Sequence, residues 1–567
     1  MNSETLSATG PSPSAFKFGH DGWRPIVRRG IETSLVAVVM IAVIVTLQIH
    51  AGAFSAEFFQ DQAAHYVSGL MIHDYLVGGL RSPLAYLLEY HSHYPVVGIG
   101  HWGPAYYTVE AIWMLLFGVS HTSLLMLSTL VTAAMAMICF AIVARRSGRL
   151  IGLLIAIAFV ICPIVKEGST EVMLDAPVAL VCLLSMLAYA RYLDRGRSRD
   201  AVLFGLLAAF GILIKGNAAA LALLPMLTVL IGRRFDLLKR PSFWLPLPIV
   251  ALLVLPWFWA TFRVAVVSVG FRYPWGWHYA NVALTENSAI LLETLGPLLL
   301  AAAITGLVAV IVAPRDRMVD PCTVVAAALL ASVWLFQSIV PVAIQDRYLE
   351  PALPPLLILA GTALGRIPDW LRARVPAFTG VLIALLATVW ILPRAAAFPT
   401  TMHVGLMEAT RQAWLHVPAN NPVVLIVAGA GSEGAAVAEL ARQDPARPSL
   451  FAIRGTRLLG AGGYDRLDYT PRFRTPEEVM AVIDKYRIPL VLFRTDESGS
   501  EFAHITEFAH IQQISEARRR YPDRWETLYE SDASGAKVAL YRVRRDGEQM
   551  ADQEQLYQLN APHAVKP

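Results

Sequence analysis

Apolar residues fall into eleven long runs separated by short polar loops, near 31–48, 122–143, 150–165, 175–193, 201–214, 218–232, 242–262, 288–313, 321–341, 351–365 and 375–393. A membrane-crossing helix needs about 20 mostly apolar residues. The first run follows Lys17, Arg24, Arg28 and Arg29 and has no small-residue cleavage site after it. The pattern predicts a retained helix with a cytoplasmic N-terminus. The later basic loops fit the same count. Arg145, Arg146 and Arg149 mark one inside turn, Arg191 to Arg199 the next, and Arg233 to Arg240 a third. Arg315 with Arg317, and Arg366 with Arg372 and Arg374, mark two more. Eleven crossings satisfy every loop, provided that Pro104–Phe117 does not cross. A helix that short spans roughly 21 Å of a roughly 30 Å core. Trp102 just before it, and Tyr106, Tyr107 and Trp113 within it, suit an interfacial or re-entrant helix on the outer face.

The last crossing exits outward, and the texture then changes. Val423–Ala428 and Leu490–Phe493 read as buried strands. Ser432–Arg442, Pro476–Tyr486 and Ala509–Arg520 have helical period, and Trp525–Tyr529 with Val538–Val543 reads as a hairpin around Ala533–Gly535. The expected fold class is a polytopic α-helical membrane protein with a C-terminal extracytoplasmic α/β domain. The expected division is a cytoplasmic tail at 1–30, a transmembrane domain at 31–395 with its first outer loop at 50–121, an α/β domain at 400–545, and a polar, frayed tail at 546–567.

Composition agrees with this pattern. Of 567 residues, 56% are hydrophobic and 16% charged, and the mean hydropathy is +0.51. Soluble domains carry about 25% charged residues. A net charge of +4 gives no electrostatic footprint for nucleic acid. Cys139, Cys162, Cys182 and Cys322 lie in or beside apolar runs, with no disulfide or zinc spacing.

Candidate chemistry gathers on the outer side. Seven of the fourteen histidines fall in the loop from His50 to His121, together with Glu57, Asp61, Asp74 and Glu89. Such a loop is a candidate divalent-metal surface, with His101, His91 and His93 as ligands; a solvated loop of satisfied histidines is the plainer alternative. Asp175, in Met173-Leu174-Asp175-Ala176-Pro177, is either a helix-end carboxylate stabilised by the helix dipole or a functional acid. Lys215 lies between two short apolar runs, where it snorkels or meets an anion. Arg347, in Gln345-Asp346-Arg347-Tyr348, is suited to clamping a phosphate or to pairing with Asp346. Arg272 and His278 are weaker candidates. Gly429-Ala430-Gly431-Ser432-Glu433-Gly434 matches a dinucleotide fingerprint, but no strand-end acid follows at the expected distance, and a structural turn is the expectation.

Taken in order, these segments resemble the GT-C class of membrane glycosyltransferases, in the protein O-mannosyltransferase and aminoarabinose-transferase branch (glycosyltransferase family 39-like). Asp61 follows the first crossing by about a dozen residues. Gly100-His101-Trp102-Gly103-Pro104 looks like the branch's outer-face helix start. Asp175 followed by Lys215-Gly216 looks like its Asp-then-Lys pair, and Asp346-Arg347-Tyr348-Leu349-Glu350-Pro351 its late Arg-Tyr segment. Two departures stand out. The familiar Asp-Glu pair is Asp61-Gln62, which puts a simple transfer of metal ligands in doubt, and the double proline after the tryptophan is Gly103-Pro104.

The resemblance implies an inverting transfer of a hexosyl or pentosyl group from a polyprenyl-phosphate donor to a lipid, glycan or protein acceptor. The site would face the periplasm or exterior of a bacterial inner (plasma) membrane. Asp61 would be the general base, and Lys215, Arg347 and Arg272 would bind the donor phosphate. Asp175 would be an acceptor-side or helix-end carboxylate, and a divalent metal is a candidate cofactor. A lipid-linked sugar transporter or flippase is the competing class, followed by a non-catalytic scaffold. A transporter is expected to show inverted repeats, and none is visible in the sequence.

Overall fold

The computed structural model describes residues 24–78, 82–98, 100–268, 276–312, 320–341, 343–366, 376, 378–396, 405–461, 469–495, 509–533, 536–545 and 550–561. Among these, seven helices are long and apolar enough to cross a membrane: Glu32–His50, His121–Ser147, Asp175–Arg195, Pro241–Phe262, Trp277–Val312, Pro321–Ile339 and Thr379–Ala396. Arg149–Ile161 and Pro163–Thr170 form a pair bent by 60°, which makes an eighth if the two halves are one crossing. The bend falls at Cys162-Pro163, where the proline can start a helix but not continue one. The other apolar runs appear as shorter helices, Ser198–Ile214, Gly216–Gly232 and Leu353–Leu364.

Two of these shorter segments share one construction. A tight 3₁₀ stretch, Gly216–Ala222, follows Ser198–Ile214, and another, Asp346–Ala352, precedes Leu353–Leu364. Lys215 stands at the first break and Arg347 in the first turn of the second. Irregular backbone inside an apolar helix array is tolerated where protein or a cavity satisfies its polar groups, so each break is a place where a cation can be presented.

The segment expected to form the first outer loop is helical: Asp61–Val77, Pro83–His93 and Ala105–Phe117. The C-terminal region holds a five-stranded mixed sheet, with β1 Val423–Val427, β2 Phe451–Arg454, β3 Leu490–Arg494, β4 Trp525–Ala533 and β5 Ala536–Val543 in the order β2-β1-β3-β5-β4. β1 runs parallel to β2 and β3, and β5 runs antiparallel to β3 and β4. Helices Ala430–Gln443, Pro476–Lys485 and Ala509–Arg520 complete the α/β domain. The strand β2 has no counterpart among the sequence expectations, because four residues are too few to show a period.

The tail expected to fray contains a helix, Gln553–Asn560. Leu556 is buried, and Asn560 Nδ2 donates to the backbone oxygens of Ser92 at 2.7 Å and Ala452 at 2.9 Å. Two carbonyls from distant segments need a donor, and the tail supplies it. Polarity therefore gave the wrong expectation: the segment's polar side chain is buried and bonded.

The α/β domain and the first loop share one hydrophobic core. Phe58, Tyr66, Tyr90 and Tyr94 of the loop join Val424, Ile426, Ala435 and Leu540 of the domain, all buried. Glu57 accepts from the Leu406 backbone N–H at 2.9 Å, and His93 stacks on Phe451 with ring centroids 4.0 Å apart.

Candidate functional site

Asp61 occupies the first turn of Asp61–Val77, where the helix dipole favours a carboxylate. Arg347 Nη2 donates to Asp61 Oδ2 at 3.1 Å, and Arg347 Nε donates to Gln345 Oε1 at 2.8 Å. Asp175 opens Asp175–Arg195, and Lys215 Nζ donates to its Oδ1 at 2.6 Å. Asp175 Oδ2 is buried and makes no hydrogen bond to any described group. The ring of Tyr348 links the two pairs, with Lys215 Nζ 4.6 Å and the Arg347 guanidinium 5.6 Å from its centroid. Four residues singled out in the sequence thus converge through pairs that cross 286 and 40 positions of chain. Neither the snorkelling alternative for Lys215 nor a side-chain Asp346–Arg347 pair describes what is seen. Asp346 instead accepts from the Arg347 backbone N–H.

Electrostatics sharpen the roles. Burial is the largest influence on Asp61 and raises its proton affinity, but Arg347, with His65 and Lys215, together outweigh it, and the carboxyl is held below its usual range. His101 also belongs to this neighbourhood: burial pushes its imidazole down to about 4, and the charge of Asp61 opposes that shift. His65, treated in the sequence as one solvated histidine among several, is buried, and its Nδ1 lies 2.9 Å from Tyr107 Oη. It follows Asp61 by one helical turn, so the i, i+4 spacing was the available signal. Burial pushes His65 down to about 3, which keeps it neutral. Glu171 is raised to about 8, by burial first and then by neighbouring Glu167. Glu350 is fully buried, its carboxylate oxygens make no hydrogen bond to any described group, and burial holds it well above the ordinary carboxylate range.

The departures noted in the sequence have local reasons. Gln62 Oε1 accepts from the Val172 backbone N–H at 3.2 Å, so this side chain ties the Asp61 turn to the segment leading into Asp175. A carboxylate could accept there too, but would bring a further charge beside Asp61. At Gly103 a Cβ would stand 2.0 Å from the backbone oxygen of Leu213, so only glycine lets the aromatic loop approach the end of the helix that precedes Lys215.

Other candidates do not converge here. The proposed metal ligands His91 and His93 lie at the end of Pro83–His93, with His93 Nδ1 2.9 Å from the Glu89 backbone oxygen and its ring stacked on Phe451. Among the described residues no group of three or more His, Cys, Asp or Glu is placed to hold a metal ion, so His91, His93 and His101 do not form the expected ligand set. Arg272 lies outside the described residues, and His278 is exposed.

The chain has a GT-C-like fold of apolar helices, in which a helical segment after the first long helix carries an acid and cations stand at helix breaks. Residues 102–259 match the family model of dolichyl-phosphate-mannose-protein mannosyltransferases. ArnT from Cupriavidus metallidurans bound to undecaprenyl phosphate is 15% identical, with a TM-score of 0.52 over 90% of this chain and 99% of that one. The Archaeoglobus fulgidus oligosaccharyltransferase in complex with zinc and sulfate is 14% identical, with a TM-score of 0.54 over 89% and 72%. The same archaeal enzyme, AglB, in complex with an inhibitory peptide and a dolichol-phosphate, is 11% identical, with a TM-score of 0.51 over 91% and 75%. No curated protein sequence matches the chain.

Proposed function

We propose that this protein transfers a sugar from a polyprenyl-phosphate donor to an acceptor hydroxyl, with inversion, on the extracytoplasmic face of the membrane. The observation that carries the reading is the meeting of Asp61, Arg347, Asp175, Lys215 and Tyr348 in one cluster. The two similar proteins whose structures hold undecaprenyl phosphate and dolichol-phosphate support the donor class.

In this reading the donor phosphate enters between Lys215 and Arg347 and takes over contacts that Asp175 and Asp61 now make. The acceptor oxygen attacks the anomeric carbon from the face opposite the phosphate, and the anomeric C–O bond breaks. The electron pair leaves with the polyprenyl phosphate, whose added charge the two cations stabilise. The acceptor proton passes to Asp61. Partner exchange has a useful consequence: once Arg347 turns to phosphate, Asp61 loses the nearest of the charges that hold its proton affinity down and becomes a stronger base. Gln62 is tied to Val172, so Asp61 is the carboxylate this mechanism uses, and no step is routed through a metal. Zinc in the archaeal structure leaves a divalent ion as a candidate; turnover that survives EDTA would remove it.

The test is a panel of undecaprenyl-phosphate-linked hexoses and pentoses, presented to the full chain in nanodiscs with lipid, glycan and peptide acceptors. Sugar transfer with release of undecaprenyl phosphate is expected for at least one pair. Movement of lipid-linked sugar between leaflets without transfer would overturn the reading in favour of a flippase. Orientation is checked by thiol labelling, with a cysteine at Ser120 reached from outside and one at Ser147 from the cytoplasm. The opposite result would place the site on the inner face.

A further inference from the structure

The fingerprint-like turn of the α/β domain touches the residues that flank the proposed base. In dinucleotide-binding domains the second glycine of such a motif lets a pyrophosphate come close. Here that glycine, Gly431, lets the outer loop come close: a Cβ on it would stand 2.6 Å from Phe59 Cζ, 2.7 Å from Phe59 Cε2 and 3.2 Å from Gln60 Cγ. Gly434, one turn on, leaves ordinary room, with the Ala63 Cβ at 3.4 Å. Phe59 and Gln60 immediately precede Asp61. Gln60 adopts φ +52°, ψ −124°, a conformation that non-glycine residues rarely take and that the surroundings must enforce. The turn is closed by the Gln62 N–H on the Phe59 oxygen and the Ala63 N–H on the Gln60 oxygen, both at 3.2 Å. On its other side, Gln62 is held by Val172. Asp61 therefore stands between two fixed neighbours, one seated by the α/β domain and one by the membrane-helix array.

We propose that Gly431 is a positioning residue for Asp61, and that the C-terminal domain takes part in catalysis by seating the Phe59–Gln60 turn that aims the carboxylate at Arg347 and the reacting centre. The proposal rests on the assignment of Asp61 as base only for its catalytic consequence; the positioning itself can be read without a donor. Gly431→Ala must push Phe59 or shift the helix start, which displaces Asp61 relative to Arg347.

The donor-free experiment places a cysteine at Asp61 in the full chain and follows the pH dependence of its alkylation. Three native cysteines are buried, which limits their background. Beside Arg347 and Lys215 the thiol is expected below its usual value of about 8.5. Adding Gly431→Ala is expected to raise it by about one unit, and adding Phe59→Leu, which removes the ring atoms the new methyl meets, to restore it. Gly434→Ala is expected to change nothing. An unshifted thiol in the Gly431→Ala background would overturn the proposal, as would a shift that Phe59→Leu fails to reverse while the protein stays folded. If Gly431→Ala does not fold, the folded Gly431→Ala/Phe59→Leu chain carries the test through Gly431→Val/Phe59→Leu, whose bulk must again raise the thiol pKa. On turnover, Gly431→Ala is expected to lower kcat about tenfold or more with undecaprenyl phosphate affinity unchanged. A thiol that behaves as described in a chain whose Asp61→Asn variant still turns over would retain the positioning and remove the base.

Discussion

One helix, Asp61–Val77, carries an aspartate in its first turn and another in its last, and both meet an arginine from far along the chain. Asp74 is saturated. Arg447 binds it through Nε at 2.7 Å and Nη2 at 3.2 Å, Tyr90 Oη donates at 3.0 Å, and His73 Nδ1 lies at 2.9 Å. Among the described residues Asp61 takes one side-chain hydrogen bond, from Arg347, and it is 33% exposed against 11% for Asp74. A carboxylate whose lone pairs are all used holds two segments together. One with spare lone pairs and a single displaceable partner can accept a proton from a ligand. The same residue pair, Asp with Arg, is thus a clasp at one end of the helix and a candidate reaction centre at the other, and the number of partners makes the difference.

Four measurements would break or sharpen that contrast. The largest effect is expected for Asp61→Asn: turnover falls about 10²–10⁴-fold, while the unfolding midpoint and undecaprenyl phosphate affinity stay near those of the unaltered protein. If Asp74→Asn lost turnover in the same way and Asp61→Asn did not, the two ends would have to exchange roles. Next, Arg447→Ala leaves a largely buried carboxylate without its cation, and the full chain in detergent is expected to lose about 3 kcal/mol of stability. Its residual activity should follow the folded fraction, which denaturant titration and turnover together would show.

Lys215→Ala and Arg347→Ala are expected to weaken undecaprenyl phosphate binding about 10–100-fold, from the roughly 1.5–3 kcal/mol of a charge-assisted hydrogen bond. Unchanged affinity in both would mean that the cations serve their carboxylates rather than a phosphate. The smallest effect concerns pH. The base form of Asp61 exists above its pKa, which Arg347 holds down. Arg347→Ala should therefore move the acid limb of kcat/KM upward, while the pair's contribution to stability is present above the ordinary carboxylate pKa and fades as pH falls through the depressed one. His65 at about 3 and His101 at about 4 stay neutral, so neither adds a limb between about pH 5 and 8. A histidine-like limb abolished by His65→Gln would show that the ring is charged in the working enzyme.

Much of this was open to inspection along the chain. Apolar runs of helical length form helices because burying them requires every backbone group to be satisfied within the segment, and that is decided locally. Asp61, Asp175, Lys215 and Arg347 stood out because a charge beside or within an apolar run has a cost that packing alone does not explain. The helices and hairpin of the α/β domain followed from period, and β2 escaped because Phe451–Arg454 is too short to have one.

What the sequence could not decide is who meets whom. Gln62 read as a missing acid and proved to be a strut to Val172; Gly431 read as a turn and proved to be a seat for Phe59; Asn560 lay in a tail that looked loose and bridges Ser92 to Ala452. The histidines at 91 and 93 share a loop with His101 but not a metal position. Each of these rests on contacts across tens to hundreds of residues, where propensity and period carry no information. The sequence by itself determined the apolar helices, the elements of the α/β domain other than β2, and the charged residues that had to be accommodated. Tertiary structure alone determined the pairing of carboxylate with cation, because hydrogen-bond geometry over a few ångströms is set by how distant segments pack.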